Sequence, residues 1–75
     1  MSNPEWERIY IGETEFEVEI LRSMLEGHEI PAMILNKQDS FYKVIGSVEL
    51  YTQRPFVVRA INLIRQAQES WDEEN

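Results

Sequence analysis

Residues 13–27 read ETEFEVEILRSMLEG, and the secondary structure of this stretch decides the fold. From Glu13 to Ile20, acidic and apolar residues alternate with the period of a strand, but the alternation fails at the adjacent pair Ile20-Leu21. On a helix, where each residue turns by about 100°, the apolar residues share one arc of roughly 200°. That arc holds Phe16, Val18, Ile20, Leu21, Met24 and Leu25. The stretch is therefore predicted to be a helix that buries this arc.

Both ends of this helix carry recognisable signals. Thr14 and Glu17 have the spacing of a capping box, in which the Glu17 carboxylate reaches back to the backbone N–H of Thr14. Gly27 follows the last apolar pair, where a helix favours a residue with left-handed backbone geometry. Pro31 then excludes helical geometry at Ile30. The helix is expected to end at Gly27.

Three strands and a second helix surround this stretch. Aromatic and β-branched residues predict a strand over 6–11, and a nearly continuous apolar run predicts another over 32–35. A third strand is predicted over 44–51. Pro55 is typical of a helix start, and Thr52 is a candidate cap ahead of it.

The second helix has one apolar side and one polar side, and Val58 is the single apolar residue on the polar side. The resulting organisation is a flexible N-terminus over residues 1–5, one domain over 6–68 and an acidic C-terminal tail over 69–75.

The element order β-α-β-β-α defines the fold class, α+β. The first strand, helix and second strand form a right-handed unit, and the third strand can return antiparallel between them, as in half of a ferredoxin-like domain. We expect a three-stranded antiparallel or mixed sheet with both helices on one face. The other face would then be shielded by strand side chains alone, which predicts self-association as a homodimer.

Composition narrows the possible functions. The 75 residues include 14 acidic and 7 basic ones, for a net charge of −7, so phosphate backbones and anionic membranes would be repelled. The basic residues form no cluster. We therefore expect no nucleic-acid and no membrane partner. The absence of cysteine, of a signal sequence and of a long apolar segment predicts a cytoplasmic protein.

No group of residues predicts catalysis, a metal or a cofactor. His28 is the single histidine and has no nucleophile pattern beside it, so a solvated turn residue is the simpler interpretation. Glu15 and Glu19 lie one helical turn apart and could share a hard cation, although this spacing more often gives a solvated acidic face. The glycines match no phosphate-binding loop. The sequence predicts a protein that is not an enzyme.

Aromatic residues are the candidates for partner contacts. Phe41 and Tyr42 are adjacent in a polar loop, and both cannot point inward if the loop is extended, although Phe41 could instead cover the core. Trp6, together with Tyr10 or Tyr51, could line the sheet face away from the helices. Trp71, in the acidic tail, could pack on the sheet, contact a partner or lie in solvent.

Several segments resemble a family of small bacterial domains of unknown function that are described as prokaryotic signal-transducing proteins. The resemblance spans about residues 6 to 66 and rests on these segments: 21–26 (LRSMLE), 30–32 (IPA), Asn36, 38–40 (QDS), 48–51 (VELY) and 60–64 (AINLI). It implies a ferredoxin-like fold related to that of PII (GlnB) proteins. The family usually has glycine where this chain has Glu29, and the segment 36–43 is too short to match the nucleotide-contacting loop of PII proteins.

Two functional hypotheses follow. The first is a non-enzymatic protein-interaction or regulatory module, which the missing catalytic groups, the uncovered sheet face and the acidic surface favour. The second is a small-molecule-sensing regulatory domain of the PII-like kind, which rests on the resemblance alone.

Overall fold

A computed structural model gives the structure of the chain, and it describes residues 5–36 and 48–73. The elements are β1 (Trp6–Gly12), α1 (Glu15–Gly27), β2 (Ala32–Asn36), β3 (Val48–Gln53), a 3₁₀ turn (Arg54–Phe56) and α2 (Val57–Glu73). The predicted order β-α-β-β-α is confirmed. The predicted third strand is confirmed from Val48 onward, and its earlier part lies outside the described residues.

The central strand of the sheet is β3. The strand order is β1-β3-β2, and β3 pairs antiparallel with both neighbours. Because β1 and β2 both run opposite to β3, they run parallel to each other with α1 as their connection. This is the split βαβ arrangement of a ferredoxin-like fold. The sheet is therefore purely antiparallel within the described residues.

One hydrophobic core lies between the sheet and the helices. Its buried members are Val18, Leu21, Leu25, Ile30, Val48, Leu50, Ala60 and Ile64. The cluster includes side chains from both helices and from alternate positions of β3, so both helices cover the same sheet face, as predicted. The opposite face is the one left open.

The buried arc of α1 is narrower than predicted. Val18, Leu21 and Leu25 are fully buried, but Phe16 is 76% exposed and Ile20 is 41% exposed. At about 100° per residue, Phe16 lies nearly opposite the centre of the three buried residues. The prediction that Phe16 and Ile20 are buried was therefore wrong, because a helix packed on one sheet buries only a single stripe.

The N-terminus of α1 is tied to the other elements. Thr14 Oγ1 accepts the backbone N–H of Glu17 at 3.1 Å, which confirms Thr14 as the cap. The Glu17 carboxylate, expected to reach back to Thr14, instead accepts the hydroxyl of Tyr10 on β1. The Tyr10 oxygen in turn accepts a hydrogen bond from Gln68 Nε2 on α2 at 3.2 Å. This network joins β1 to both helices.

Gly12 allows α1 to pack closely on the end of β1. A Cβ atom at Gly12 would lie 2.6 Å from Val18 Cγ2 and 3.2 Å from Tyr10 Cε2. The first distance is far inside van der Waals contact, and Val18 is fully buried and cannot easily move. Glycine at this position therefore fixes how near the helix lies to the sheet.

The C-terminus of α1 ends in a Schellman motif, but not at the expected residue. Gly27 is the last residue of the helix, and Glu29 has the positive φ, at 63°. The N–H of Ile30 donates to the carbonyl of Leu25 at 3.0 Å, and the N–H of Glu29 donates to that of Glu26 at 3.0 Å. The prediction of a left-handed Gly27 was wrong, because the buried contact between Ile30 and Leu25 sets the turn two residues later.

Thr52 is a strand residue and not a helix cap. It is fully buried near the end of the central strand, and its Oγ1 donates to the carbonyl of Pro31 at 2.5 Å. The 3₁₀ turn begins after Gln53, which makes no side-chain cap, and carries Pro55 in its first turn. The predicted capping role of Thr52 was therefore wrong, because its hydroxyl donates to a backbone carbonyl just before β2 and is not available to the helix.

Helix α2 extends further than the sequence indicates. It continues to Glu73, so residues 69–73 are helical and do not form a separate tail. Trp71 is half-buried and packs against the core, which gives the last turn an apolar contact. Val58 is 74% exposed, which confirms it as the apolar residue on the polar side.

The left-handed geometry of Glu29 predicts a stabilising substitution. Left-handed backbone costs a residue with a Cβ atom about 1–2 kcal/mol, whereas glycine adopts it freely. We expect Glu29→Gly to raise the free energy of unfolding by about 1 kcal/mol in urea denaturation, after glycine's larger entropy loss is subtracted.

Glu29→Ala is the matched control, because it removes the same carboxylate and keeps the Cβ atom. The free energy of unfolding of Glu29→Ala should stay close to that of the wild type, so that most of the increase appears only in Glu29→Gly. If the two variants were equally stable, charge removal and not backbone geometry would explain the effect.

Candidate functional site

The face of the sheet away from the helices is built from alternate residues of three strands. In β3, Val48, Leu50 and Thr52 are buried on the helix side. Side chains alternate along a strand, so Glu49, Tyr51 and Gln53 project from the other side. Their neighbours on β1 and β2 follow from the register of the two antiparallel pairs.

On β1, a bulge decides which residues reach this face. Arg8 lies opposite Tyr51, whereas Tyr10 lies opposite Leu50, so one extra residue interrupts the register between them. After the bulge, Tyr10 points to the helix side and Ile11, opposite Glu49, points away from it. Without the bulge, these two side chains would exchange faces.

On β2, the register places two apolar side chains on the same face. Met33 lies opposite Tyr51, and Leu35 lies opposite Glu49. We name the surface that these described residues form the open face. Its residues are Trp6, Arg8, Ile11, Met33, Leu35, Glu49, Tyr51 and Gln53.

The open face is largely apolar and accessible. Trp6 is 40% exposed, Ile11 44%, Met33 41% and Leu35 42%. They occupy the two outer strands, on either side of the central β3. Solvated apolar side chains gathered on one surface are typical of a protein-interaction site.

A hydrogen-bonded polar group occupies the middle of the open face. Glu49 is only 5% exposed, and its Oε2 atom lies 3.1 Å from Arg8 Nη1. The Tyr51 hydroxyl donates to Glu49 Oε1 at 2.7 Å. This hydrogen bond, with a smaller contribution from burial, raises the pKa of Tyr51 above its usual value of 10.0. Both carboxylate oxygens of Glu49 are therefore engaged on the face.

The described residues of the open face carry no net charge, although the chain carries −7. Arg8 and Glu49 are its two charged residues, and they neutralise each other. Glu7 lies opposite Thr52 on the helix side of β1, where its Oε2 is 2.8 Å from Arg54 Nε. The other described acidic residues lie on the helices, in the connecting turns and, in the case of Glu5, just before β1 beside Arg54. Apart from Glu49, the described acidic residues therefore lie away from the open face.

The sequence identified part of this face. Trp6 and Tyr51 lie on it, as predicted, whereas Tyr10, the alternative to Tyr51, lies on the helix side of the sheet. Trp71 belongs to α2 in the other layer and packs against the core, so it is not part of the face. Phe41 and Tyr42 lie outside the described residues. Their predicted partner contacts stay a prediction.

Three apolar members of the face were missed. Met33 and Leu35 belong to a continuous apolar run that reads as a strand buried on both sides, although every second residue of it faces outward. Ile11 was missed because the bulge shifts the alternation of β1. A search for neighbouring strands that each leave apolar residues on one face would have found Met33 and Leu35 but not Ile11.

The other candidate groups have ordinary surroundings. His28 is an exposed residue at the end of α1. Glu19 accepts a hydrogen bond from Arg22 Nε at 3.0 Å, which lowers the pKa of Glu19, and Arg22 also lies 2.8 Å from Glu26. Glu15 and Glu19 thus form part of an exposed, partly neutralised helix surface. Within residues 5–36 and 48–73, no cluster of three or more metal-ligating side chains is present.

No helix in the described part of the chain is long and apolar enough to cross a membrane. Comparison with protein-family models, curated proteins and solved structures finds no match. The family resemblance of the sequence therefore stays a prediction, and the face is interpreted from its own chemistry.

Titration of the tyrosines tests the geometry of the open face. We expect Glu49→Gln to lower the pKa of Tyr51 toward its usual value, because the charged acceptor that favours the protonated phenol is gone. Ultraviolet difference spectra of the phenolate, compared with those of Tyr51→Phe, would assign the transition. An unchanged Tyr51 transition in Glu49→Gln would contradict the hydrogen bond.

Tyr10 provides an internal reference on the opposite side of the sheet. Burial and, after it, the hydrogen bond to Glu17 raise the pKa of Tyr10 to about 12. Its high pKa should persist in Glu49→Gln and fall in Glu17→Gln. Since the folded pKa lies above the unfolded value of about 10, Tyr10 stabilises the fold below pH 10 and loses this effect between pH 10 and 12.

Proposed function

We propose that the chain is a non-enzymatic protein-interaction or regulatory module that binds another protein through the open face. The observation that carries the proposal is the union of two properties on one surface. Four apolar residues are about 40% exposed there, and Arg8 and Glu49, the two charged residues among the described residues of the face, neutralise each other. Such a surface loses little by leaving water and gains from apolar burial.

The polar centre of the face supports binding more than chemistry. A general base needs a lone pair that can reach a substrate proton. In Glu49, one oxygen accepts from Tyr51 and the other lies against Arg8, and the residue is almost fully buried. These contacts neutralise a carboxylate inside an apolar patch. They also hold Tyr51 and Arg8 in fixed positions for a partner.

A fixed polar centre with an apolar surround is also suited to specificity. An apolar patch alone would bind many hydrophobic surfaces with similar strength. A partner that covered Arg8 and Gln53 without offering hydrogen-bond groups would leave them desolvated, at a cost of about 1–3 kcal/mol for each group. The module would therefore favour partners with matching polar atoms.

Site-specific photo-crosslinking tests the proposal. A benzophenone amino acid at Met33, which is 41% exposed on the open face, should cross-link to protein in living host cells and give discrete products. The matched control carries the same amino acid at Val58, which is 74% exposed on α2, and should give much weaker products. Mass spectrometry of the products identifies the bound protein.

Two results would contradict the proposal. The first is an absence of protein cross-links at Met33 and at Leu35, its neighbour on the face. The second is an identical set of products from Val58, since binding would then not depend on the open face. A metabolite that raised the unfolding midpoint by several degrees would instead favour the small-molecule sensor.

A further inference from the structure

We propose that the occupant of the open face is a second copy of this chain, packed face to face in a two-fold homodimer. This inference rests on the proposed function and names its partner. It differs from the general expectation of self-association in that it specifies the surface, the contacts and the symmetry.

The charge distribution favours a second copy on this face. Two chains of net charge −7 repel each other wherever their acidic surfaces meet. The open face avoids this repulsion, because Arg8 and Glu49 leave it neutral. A strongly basic partner would be attracted to the acidic helix layer rather than to the sheet. A neutral apolar face is best matched by another neutral apolar face, and the chain itself provides one.

The polar atoms of the face are also complementary to one another. The side chain of Arg8 is 51% exposed, and one of its five donor hydrogens is directed at Glu49. Gln53, at the end of β3 on the same face, provides an amide that can accept as well as donate. A two-fold axis presents each group to the opposite copy, so every contact forms twice. Arg8 of one copy can thus donate to Gln53 of its partner.

A dimer interface of standard size would need only a small part of the exposed surface of the chain. A standard interface takes about 800 Å² from each partner. The chain exposes 5524 Å², so such an interface would cover about a seventh of it. The molecule is thin, with Cα extents of 38 × 35 × 16 Å. Two sheets that stack in this way lie about 10 Å apart.

The sheet edges are less suitable for pairing with a second copy. The outer strand β1 carries charged Glu7 and Arg8 and a bulge, both of which hinder edge-to-edge pairing. The other outer strand, β2, has only 5 residues. Stacking therefore fits the sheet better than extension.

The helix layer is also less suitable. Its exposed large apolar residues are Phe16 and Ile20 on α1 and Val58 and Ile61 on α2, and the most exposed of them are Phe16 and Val58. Phe16 follows the end of β1 at Gly12, whereas Val58 follows the end of β3 at Gln53, and Gln53 pairs with the start of β1. The two residues thus lie toward opposite ends of the molecule and form no common patch. The apolar residues of the open face are gathered on one surface.

Sedimentation equilibrium of the purified full chain tests the homodimer. The concentration should run from about 1 µM to about 1 mM, where a dimer of micromolar Kd changes its population. We expect the mass to approach twice 8.9 kDa and no more, because two-fold face-to-face packing is closed. Added salt should increase dimerisation, since it screens the repulsion between acidic chains.

Leu35→Lys and Val58→Lys form the matched pair of variants. Both replace an exposed apolar residue by lysine and make the same change of charge. Leu35→Lys would bury an unpaired ammonium in the interface and should raise the dimer Kd at least about tenfold. Val58→Lys should dimerise like the wild type. Circular dichroism verifies folding, and Met33→Lys replaces Leu35→Lys if the latter does not fold.

Three results would overturn the homodimer. The first is a wild-type chain that stays at 8.9 kDa throughout. The second is a dimer that Val58→Lys disrupts and Leu35→Lys does not. The third is growth beyond the dimer. In each case, cross-links from Met33 to a different protein would still support the proposed function, so the two proposals fail separately.

Discussion

The antiparallel pairing of β3 with both of its neighbours is the constraint on which the rest of the structure depends. It brings β1 and β2 to the two sides of one strand, and α1 can connect them only by crossing a single face of the sheet. Val48 and Leu50 then form the sheet side of the core, beneath both helices. Glu49 and Tyr51, the intervening residues, are directed to the open face. One strand thus sets both surfaces of the sheet.

The element order could be predicted because long hydrophobic patterns dominate over local exceptions. In α1, the spacing of the apolar residues after Ile20 indicates a helix, although acidic and apolar residues alternate before it. Local geometry was less predictable. Left-handed backbone geometry is usually found at glycine. Here the hydrogen bond from the Ile30 N–H to the Leu25 carbonyl places that geometry at Glu29 and leaves Gly27 helical. Thr52 was misassigned for a similar reason, because a tertiary partner, the carbonyl of Pro31, takes its hydroxyl.

The existence of the open face could be predicted from the sequence, but most of the residues that form it could not. An uncovered sheet face follows from three strands and two helices, and the aromatic residues Trp6 and Tyr51 indicate it. A strand whose residues are all apolar has no alternation in its sequence that marks which side is exposed. The sequence therefore does not identify Met33 and Leu35 as members of the face. The polar centre was not predictable, because Arg8 and Glu49 are 41 residues apart in sequence and meet only through the register of β1 and β3.

The bulge in β1 makes chain length, as well as composition, a condition of this fold. The single added residue between Arg8 and Tyr10 lets one strand supply Tyr10 to the helix network and Ile11 to the opposite surface. Loss of one residue there would leave the later residues of β1 unchanged in identity and reverse the side on which each one lies. Homologous chains can therefore be expected to keep the length of this strand, with very few insertions or deletions.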